Sequence, residues 1–228
     1  MPDVNHAALQ GLGYWEINKL HYHTGTPVEV VFRTSPEPGD DGRLTGTFVD
    51  PGGEQGVPEL RDNGAGSHTL SFTPEHEGYY QLLIEQEGAA STHLAKAILP
   101  VGHHLHGALS PVGSELELVP LDWTGWQAGD SLRLRAVQGG QPAAGVAVTL
   151  FYRGPLDAVH PVTIGAGGEG EVEFVLSQPG FYVAVARAEA DRGGPELIAS
   201  LPVLVTKATH RTHDHHDEHN HNAHHHHQ

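Results

Sequence analysis

Cysteine is absent from this chain of 228 residues, which excludes disulfide bonds, zinc sites with thiolate ligands and cysteine nucleophiles. Long apolar runs are also missing, since no stretch reaches the roughly 18 apolar residues that a membrane-spanning helix needs. Basic residues are few: 12 Lys and Arg face 28 Asp and Glu, and the formal net charge is −16. Nucleic acids and anionic membrane surfaces require a basic face, so neither is an expected partner, whereas cations are favoured.

Sequence signatures of catalysis are missing as well. The chain has no GxSxG, HExxH or P-loop motif, and no GxGxxG that both follows a strand and opens a helix. The glycine-rich segment 165–170 lacks the lysine and the helix start of a phosphate-binding loop, and is typical of a hairpin turn. We therefore predict that the protein is not an enzyme.

The composition that remains is typical of short strands joined by turns. Apolar residues make up 38% of the chain, and 29 Gly and 16 Pro punctuate it. Strand periodicity is visible in residues 28–32, where Val28, Val30 and Phe32 share one face, and in residues 68–72 and 79–85. Alternation of this kind, without helical periodicity, predicts antiparallel sandwiches.

The second half of the sequence repeats the first at an offset of 102 residues, as between Phe72 and Phe174 or Tyr80 and Tyr182. Such a repeat indicates two copies of one structural unit. We predict an all-β fold with two tandem immunoglobulin-like antiparallel β-sandwich domains. The predicted parts are a flexible N-terminal arm (1–13), a first domain (14–106), a second domain (107–206) and a disordered His-rich tail (207–228).

Histidine is the conspicuous residue, with 20 in the chain and half of them in the predicted tail. Imidazole is the commonest protein ligand for late first-row transition metals. His21 and His23 have i, i+2 spacing, as do His104 and His106, and this spacing places two rings on one face of a strand. If the segment that ends at His23 lies beside the strand that ends near residue 101, the two pairs converge on one ion.

The repeat shows that these histidines are not required by the fold. At the offset of 102, the positions that match His93, His103, His104 and His106 are Pro195, Val205, Thr206 and Ala208. The candidate metal ligands are His21, His23, His93, His103, His104 and His106 at the domain junction, and His210, His213, His215, His216, His219 and His221 in the tail. The alternative, in which the junction histidines are scattered surface residues, stays open. The expected ion is Ni²⁺ or Co²⁺, with Zn²⁺ or Cu²⁺ also compatible.

Several motifs in the second half resemble those of the bacterial DUF4198 family. The segments are LELVPL (116–121), AGD (128–130), LRL (132–134), GQPAAGVAV (140–148), GGEG (167–170) and QPGFY (178–182), and the resemblance covers most of residues 90–206. Members of the family include extracytoplasmic accessory components of nickel and cobalt uptake systems of the energy-coupling-factor type.

The resemblance implies metal binding and a periplasmic location. The first ten residues, MPDVNHAALQ, lack the charged and apolar parts of a secretory signal, so the chain is cytosolic or starts at a mature terminus with an added Met. We expect a periplasmic nickel- or cobalt-binding protein that captures the ion and presents it to a transporter of this type. The alternative is a structural or interaction module of the cell envelope, with a tail that buffers metal.

Overall fold

The computed structural model describes residue 9 and residues 11–34, 42–105, 109–122, 125–153, 160–191 and 193–209. Its strands are β1 (Tyr14–Glu16), β2 (Val28–Arg33), β3 (Leu44–Val49), β4 (Gln55–Gly56), β5 (Glu59–Gly64), β6 (Ser67–Phe72), β7 (Gly78–Glu87), β8 (Ser91–Val101), β9 (Leu116–Pro120), β10 (Ser131–Gln138), β11 (Gln141–Pro142), β12 (Ala147–Arg153), β13 (Val162–Gly165), β14 (Glu171–Val175), β15 (Gly180–Ala188) and β16 (Glu196–Val205). The all-β prediction is confirmed. Over the same residues, no helix has the length and apolarity needed to cross a membrane.

Each half of the chain has the strand order of an immunoglobulin-like sandwich. In the first half, one sheet has the order β1-β2-β6-β5 and the other continues as β8-β7-β3-β4. These are the ABED and GFC sheets of that fold, with one additional short strand. The second half repeats the plan with β9-β10-β14 in one sheet and β16-β15-β12-β13 in the other. The predicted pair of immunoglobulin-like sandwiches is therefore confirmed.

The repeated tyrosines perform the same structural role in the two copies. The hydroxyl of Tyr80 accepts hydrogen bonds from the backbone N–H groups of Glu75 and His76, at 3.2 and 3.1 Å. The hydroxyl of Tyr182 accepts from the N–H of Gln178 at 3.2 Å and donates to its carbonyl at 2.8 Å. Both contacts are the tyrosine corner of immunoglobulin-like folds. They explain why a buried Tyr, and not Phe, occurs at both positions.

The two sandwiches share a sheet. Strands β8 and β16 pair in parallel, from Ser91 with Glu196 to Ala95 with Ser200, and this pairing fuses the two GFC sheets into one of eight strands. Because β8 and β16 are equivalent strands and run parallel, the two sandwiches lie on opposite faces of the joint sheet. The second sheet of the first copy packs on one face, and the second sheet of the second copy packs on the other. Consistent with this geometry, Ala97 of β8 lies in the first core and Ile98 lies in the second.

A buried ion pair lies at this junction. The Nζ atom of Lys96 on β8 is 2.8 Å from Oε2 of Glu117 on β9, and their side chains are only 3% and 1% exposed. The Glu117 carboxylate also accepts hydrogen bonds from the backbone N–H groups of Val112 and Gly113. Burial lowers the pKa of Lys96, because it disfavours the charged amine, and the nearby carboxylate opposes that change. The pair connects the last strand of one sandwich to the first strand of the next.

The described part of the N-terminal arm is packed against the joint sheet, whereas a flexible arm was expected. Leu9, Leu12 and Tyr14 form a small core with Val183 and Ile198 on the joint sheet. This group covers the outer face of β15 and β16, which does not pack against the β9-β10-β14 sheet of the second copy. The expected disorder of the tail concerns residues that, from 210 onward, lie outside the described part of the chain.

Candidate metal centre

A short parallel bridge brings the segment around Tyr22 to the end of β8. The N–H of Tyr22 donates to the carbonyl of Pro100 at 3.0 Å, and the N–H of Gly102 donates to the carbonyl of Tyr22 at 2.9 Å. The Tyr22 side chain is buried in the first core, and this burial raises its pKa to about 12. Because side chains alternate along an extended segment, His21 and His23 both point away from that core.

Three imidazoles meet at this bridge. The ring centre of His21 lies 4.9 Å from that of His23 and 5.0 Å from that of His103, and the rings of His23 and His103 are 6.4 Å apart. With nitrogen ligands about 2.0–2.1 Å from a metal, two imidazoles on one ion have ring centres roughly 4.5–6.5 Å apart. The spacing of these three rings therefore suits a shared ion.

The three rings are neighbours but not a finished coordination sphere. In the part of the chain that the structure covers, no group of three His, Asp or Glu side chains is arranged to hold a metal ion. The Nε2 atom of His21 is buried without a hydrogen-bond partner among the described residues, a state that buried polar atoms seldom keep. His23 and His103 are exposed, so their rings are free to rotate toward a common point. The three imidazoles therefore fit such an ion by ligand type and proximity, and not as a preformed site.

Glu77 supports the turn that carries His103. Its carboxylate accepts the backbone N–H of His103 at 3.3 Å and that of His104 at 3.1 Å. These hydrogen bonds, that from His104 first, lower the pKa of Glu77 from its ordinary value, although partial desolvation opposes them. Gly102 has a positive φ of 76°, and a Cβ atom there would lie 2.3 Å from Cγ of Glu77. Only glycine fits between the bridge and this carboxylate.

Replacing Glu77 by Gln is expected to remove a pH-dependent contribution to stability. A carboxylate whose pKa is lowered by folding stabilises the native state above its unfolded-state pKa, and the contribution is lost as pH falls through the lower native value. The urea midpoint of the wild type should exceed that of Glu77→Gln at pH 6, and the difference should shrink below about pH 4.5. The exposed neighbour Glu75, changed to Gln, is the matched control. A difference that stays constant across pH would contradict this assignment.

The equivalent bridge in the second copy carries no histidine. There, Gln127 pairs with Thr206 in the same parallel manner. Trp126 and Val205 are buried in the second core as Tyr22 and Val101 are in the first. Matching these buried pairs places Gly125 and Gln127 at the positions of His21 and His23, and Lys207 at the position of His103. The offset at the bridge is thus 104 residues and not the 102 of the sequence repeat, but the conclusion that the fold does not require these histidines is unchanged.

The other predicted ligands have different positions. His93 pairs with Gln86 and Ile198 and lies eight residues before Val101 on β8, so it is roughly 26 Å from the bridge and does not join the cluster. His104 adjoins His103 and is held through its backbone N–H by Glu77. His106 lies outside the described residues, as do the predicted tail ligands His210, His213, His215, His216, His219 and His221.

Sequence reasoning missed Glu77, because no local pattern distinguishes it from the other carboxylates of an acidic chain. The nearest signal is Gly102, whose positive φ allows the turn at the end of β8. A glycine directly before two histidines indicates a turn there, but it does not identify the acceptor that holds the turn.

The chain is similar, at low sequence identity, to several solved structures. The D0-D1 domain of intimin is 14% identical over 84% of this chain and 97% of that chain, with a TM-score of 0.27. A chimeric titin Z1Z2 is 12% identical over 82% of this chain and 91% of that chain, with a TM-score of 0.28. No match was found among curated proteins.

A family model, described as a domain of unknown function, matches residues 28–190. The match begins in β2 and ends after β15, so it covers most of both sandwiches but not β1 or β16, whereas the motif resemblance was confined mainly to the second. The matched segment is more than two thirds of the sequence. The chain therefore belongs to the DUF4198 family.

Proposed function

We propose that this protein binds a divalent transition metal ion, Ni²⁺ or Co²⁺ in the first instance, through His21, His23 and His103. The observation that carries the proposal is the bridge between Tyr22 and Val101, which gathers three imidazoles in one copy of a repeated fold and none in the other. Imidazole nitrogen is a preferred ligand for these ions, and the chain has no thiolate that would favour softer metals.

The charge of the protein supports capture of a cation. The formal net charge is −16, and the Glu77 carboxylate lies beside His103 and His104. A negative field raises the local concentration of cations and the rate at which they reach a site. Both features suit a protein that collects a dilute metal ion.

The proposed setting is extracytoplasmic, with the ion passed to a membrane uptake transporter of the energy-coupling-factor type. This part of the proposal rests on the family resemblance and on the tail, where ten histidines follow Thr209. Clustered imidazoles give weak, exchangeable ligation that is suited to collecting an ion and passing it on.

The test is calorimetric titration of Ni²⁺ and Co²⁺ into the full-length chain with the ten tail histidines changed to Asn, so that only the folded part competes for metal. One site per chain is expected at neutral pH, and the triple variant His21→Ala, His23→Ala, His103→Ala should lose it. Binding should weaken in acid, because only neutral imidazole ligates.

The matched control changes three histidines outside the cluster, His68, His76 and His160, to Ala and should keep the site. His68 packs against Phe32 and lies 3.7 Å from Asp62, while His76 and His160 are exposed. Equal loss of binding in both triple variants would refute a specific centre. No binding by the parent chain would favour the alternative, a structural module of the cell envelope with a metal-buffering tail.

A further inference from the structure

The two central strands separate beyond the parallel pairing and leave a cavity between the sandwiches. Pairing of β8 with β16 ends at Ala95 and Ser200, so the later parts of both strands are not hydrogen-bonded to each other. A cavity of about 370 Å³ lies where they diverge, with Ile98 and Pro100 on one side and Pro202 and Leu204 on the other. Its size is within the roughly 300–1,000 Å³ typical of small-molecule sites.

The cavity wall is mainly apolar. Besides the strand residues, Ile17, Leu20, Leu105 and Trp126 line it. Leu20 and Leu105 are 51% and 42% exposed, although large aliphatic side chains are normally buried. Two exposed leucines beside an indole form a surface that an apolar ligand would cover.

The polar groups in the wall favour a negative charge. Lys19 and His21 both line the cavity, with the amide of Gln127 and the hydroxyl of Thr206. The side chains of Lys96, Arg133, Arg135 and Arg187 pair with carboxylates, but Lys19 has no such ion pair within the described ranges. An amine at an apolar cavity attracts an anion locally, against the negative field of a chain whose net charge is −16.

We propose that this cavity binds a small amphipathic organic anion. The apolar body packs against Leu20, Leu105 and Trp126, and the charged group lies beside Lys19. The ligand would be taken whether or not the adjacent imidazoles hold metal, so the cavity is a second binding function of the protein. Since His21 belongs both to the cavity wall and to the imidazole cluster, metal and anion would also influence each other's affinity.

The test uses two fluorescent probes with the full-length chain. Anilinonaphthalene sulfonate has an apolar ring system with one negative group, and phenylnaphthylamine is its uncharged counterpart. One sulfonate per chain is expected, bound more tightly than the neutral probe. Lys19→Gln should weaken the sulfonate about two- to fivefold, the effect of one partly exposed charge, and leave the neutral probe unchanged.

Two further variants locate the probes. Leu204→Trp fills the cavity with a larger side chain and should abolish binding of both probes. Leu20→Asp, at a half-exposed position that tolerates polarity, should do the same and stays informative even if Leu204→Trp fails to fold. Val57→Asp is the control, because Val57 is 88% exposed and does not line the cavity. Equal affinity for both probes, or binding that Leu20→Asp leaves intact, would overturn the proposal.

Discussion

Replacing Lys96 by Met is expected to lower the free energy of unfolding by about 3–5 kcal/mol, the cost of leaving a buried charge without its partner. The substitution preserves the shape of the side chain but leaves the Glu117 carboxylate, 1% exposed, without its cation. Two backbone N–H groups still bond that carboxylate, so it cannot simply turn toward solvent. Urea unfolding, followed by circular dichroism, measures the effect.

Two controls test whether the loss comes from the buried, unpaired charge: an exposed ion pair that is broken in the same way, and a second substitution that removes the remaining charge. Arg187 pairs with Glu196 at 3.2 Å, and both side chains are nearly half exposed, so Arg187→Met should cost less than about 1 kcal/mol. Adding Glu117→Gln to Lys96→Met should recover much of the loss, because a neutral amide oxygen still accepts a hydrogen bond from Val112 or Gly113. If Lys96→Met costs no more than Arg187→Met, the pair does not stabilise the junction.

Replacing Leu94 by Ala is expected to cost about 2–5 kcal/mol and to destabilise both sandwiches together. Leu94 is on β8, a strand of the first copy, but its side chain is buried in the core of the second. Its neighbour Ala95 is buried in the first core. Because β8 contributes side chains to both cores, neither sandwich is expected to unfold without disrupting the other.

Tryptophan fluorescence measures this coupling. Trp15 is buried in the first core, with its Nε1–H donated to the carbonyl of Ala95, and Trp126 is buried in the second. In chains that keep only Trp15 or only Trp126, with the other two of the three tryptophans changed to Phe, the fluorescence midpoint in urea should coincide with the circular-dichroism midpoint of the same chain, before and after Leu94→Ala. The control is Leu82→Ala, which removes a side chain from the first core alone and should also move both transitions. Separate transitions, with Leu94→Ala shifting only the second, would show that the sandwiches unfold independently.

The repeat made the sandwiches predictable, but not the way in which they join. Period-two alternation in segments such as β2 was sufficient to predict the sandwich fold. The recurrence of Tyr80 as Tyr182 was sufficient to predict two copies. The parallel pairing of β8 with β16 was not anticipated, because alternation says nothing about which edges meet. A usable signal was present in the sequence: residues 94–101 (LAKAILPV) and 197–203 (LIASLPV) are nearly continuous apolar runs, the pattern of strands covered on both faces. In the structure both segments are buried throughout.

The candidate site was predictable only in part. The i, i+2 spacing of His21 and His23 and the position of His103 just after a strand indicated convergence, and their rings do adjoin. The same reasoning grouped His93 with them, although a residue early in a long strand is necessarily far from that strand's end. Glu77 is 26 residues from His103 in sequence, and only the folded chain reveals their hydrogen bond.

The direction of β16 has a consequence for the last residues of the chain. Since β16 runs parallel to β8, both strands end at the same pole of the molecule, and Thr209 bonds to Gln127 in the wall of the cavity that His21 also lines. Thr209 therefore lies at the pole of the molecule where the imidazole cluster also lies, and the ten tail histidines follow it directly in the sequence. An ion that moved between the cluster and the tail would do so within one molecule, at a rate set by the intervening chain and independent of protein concentration.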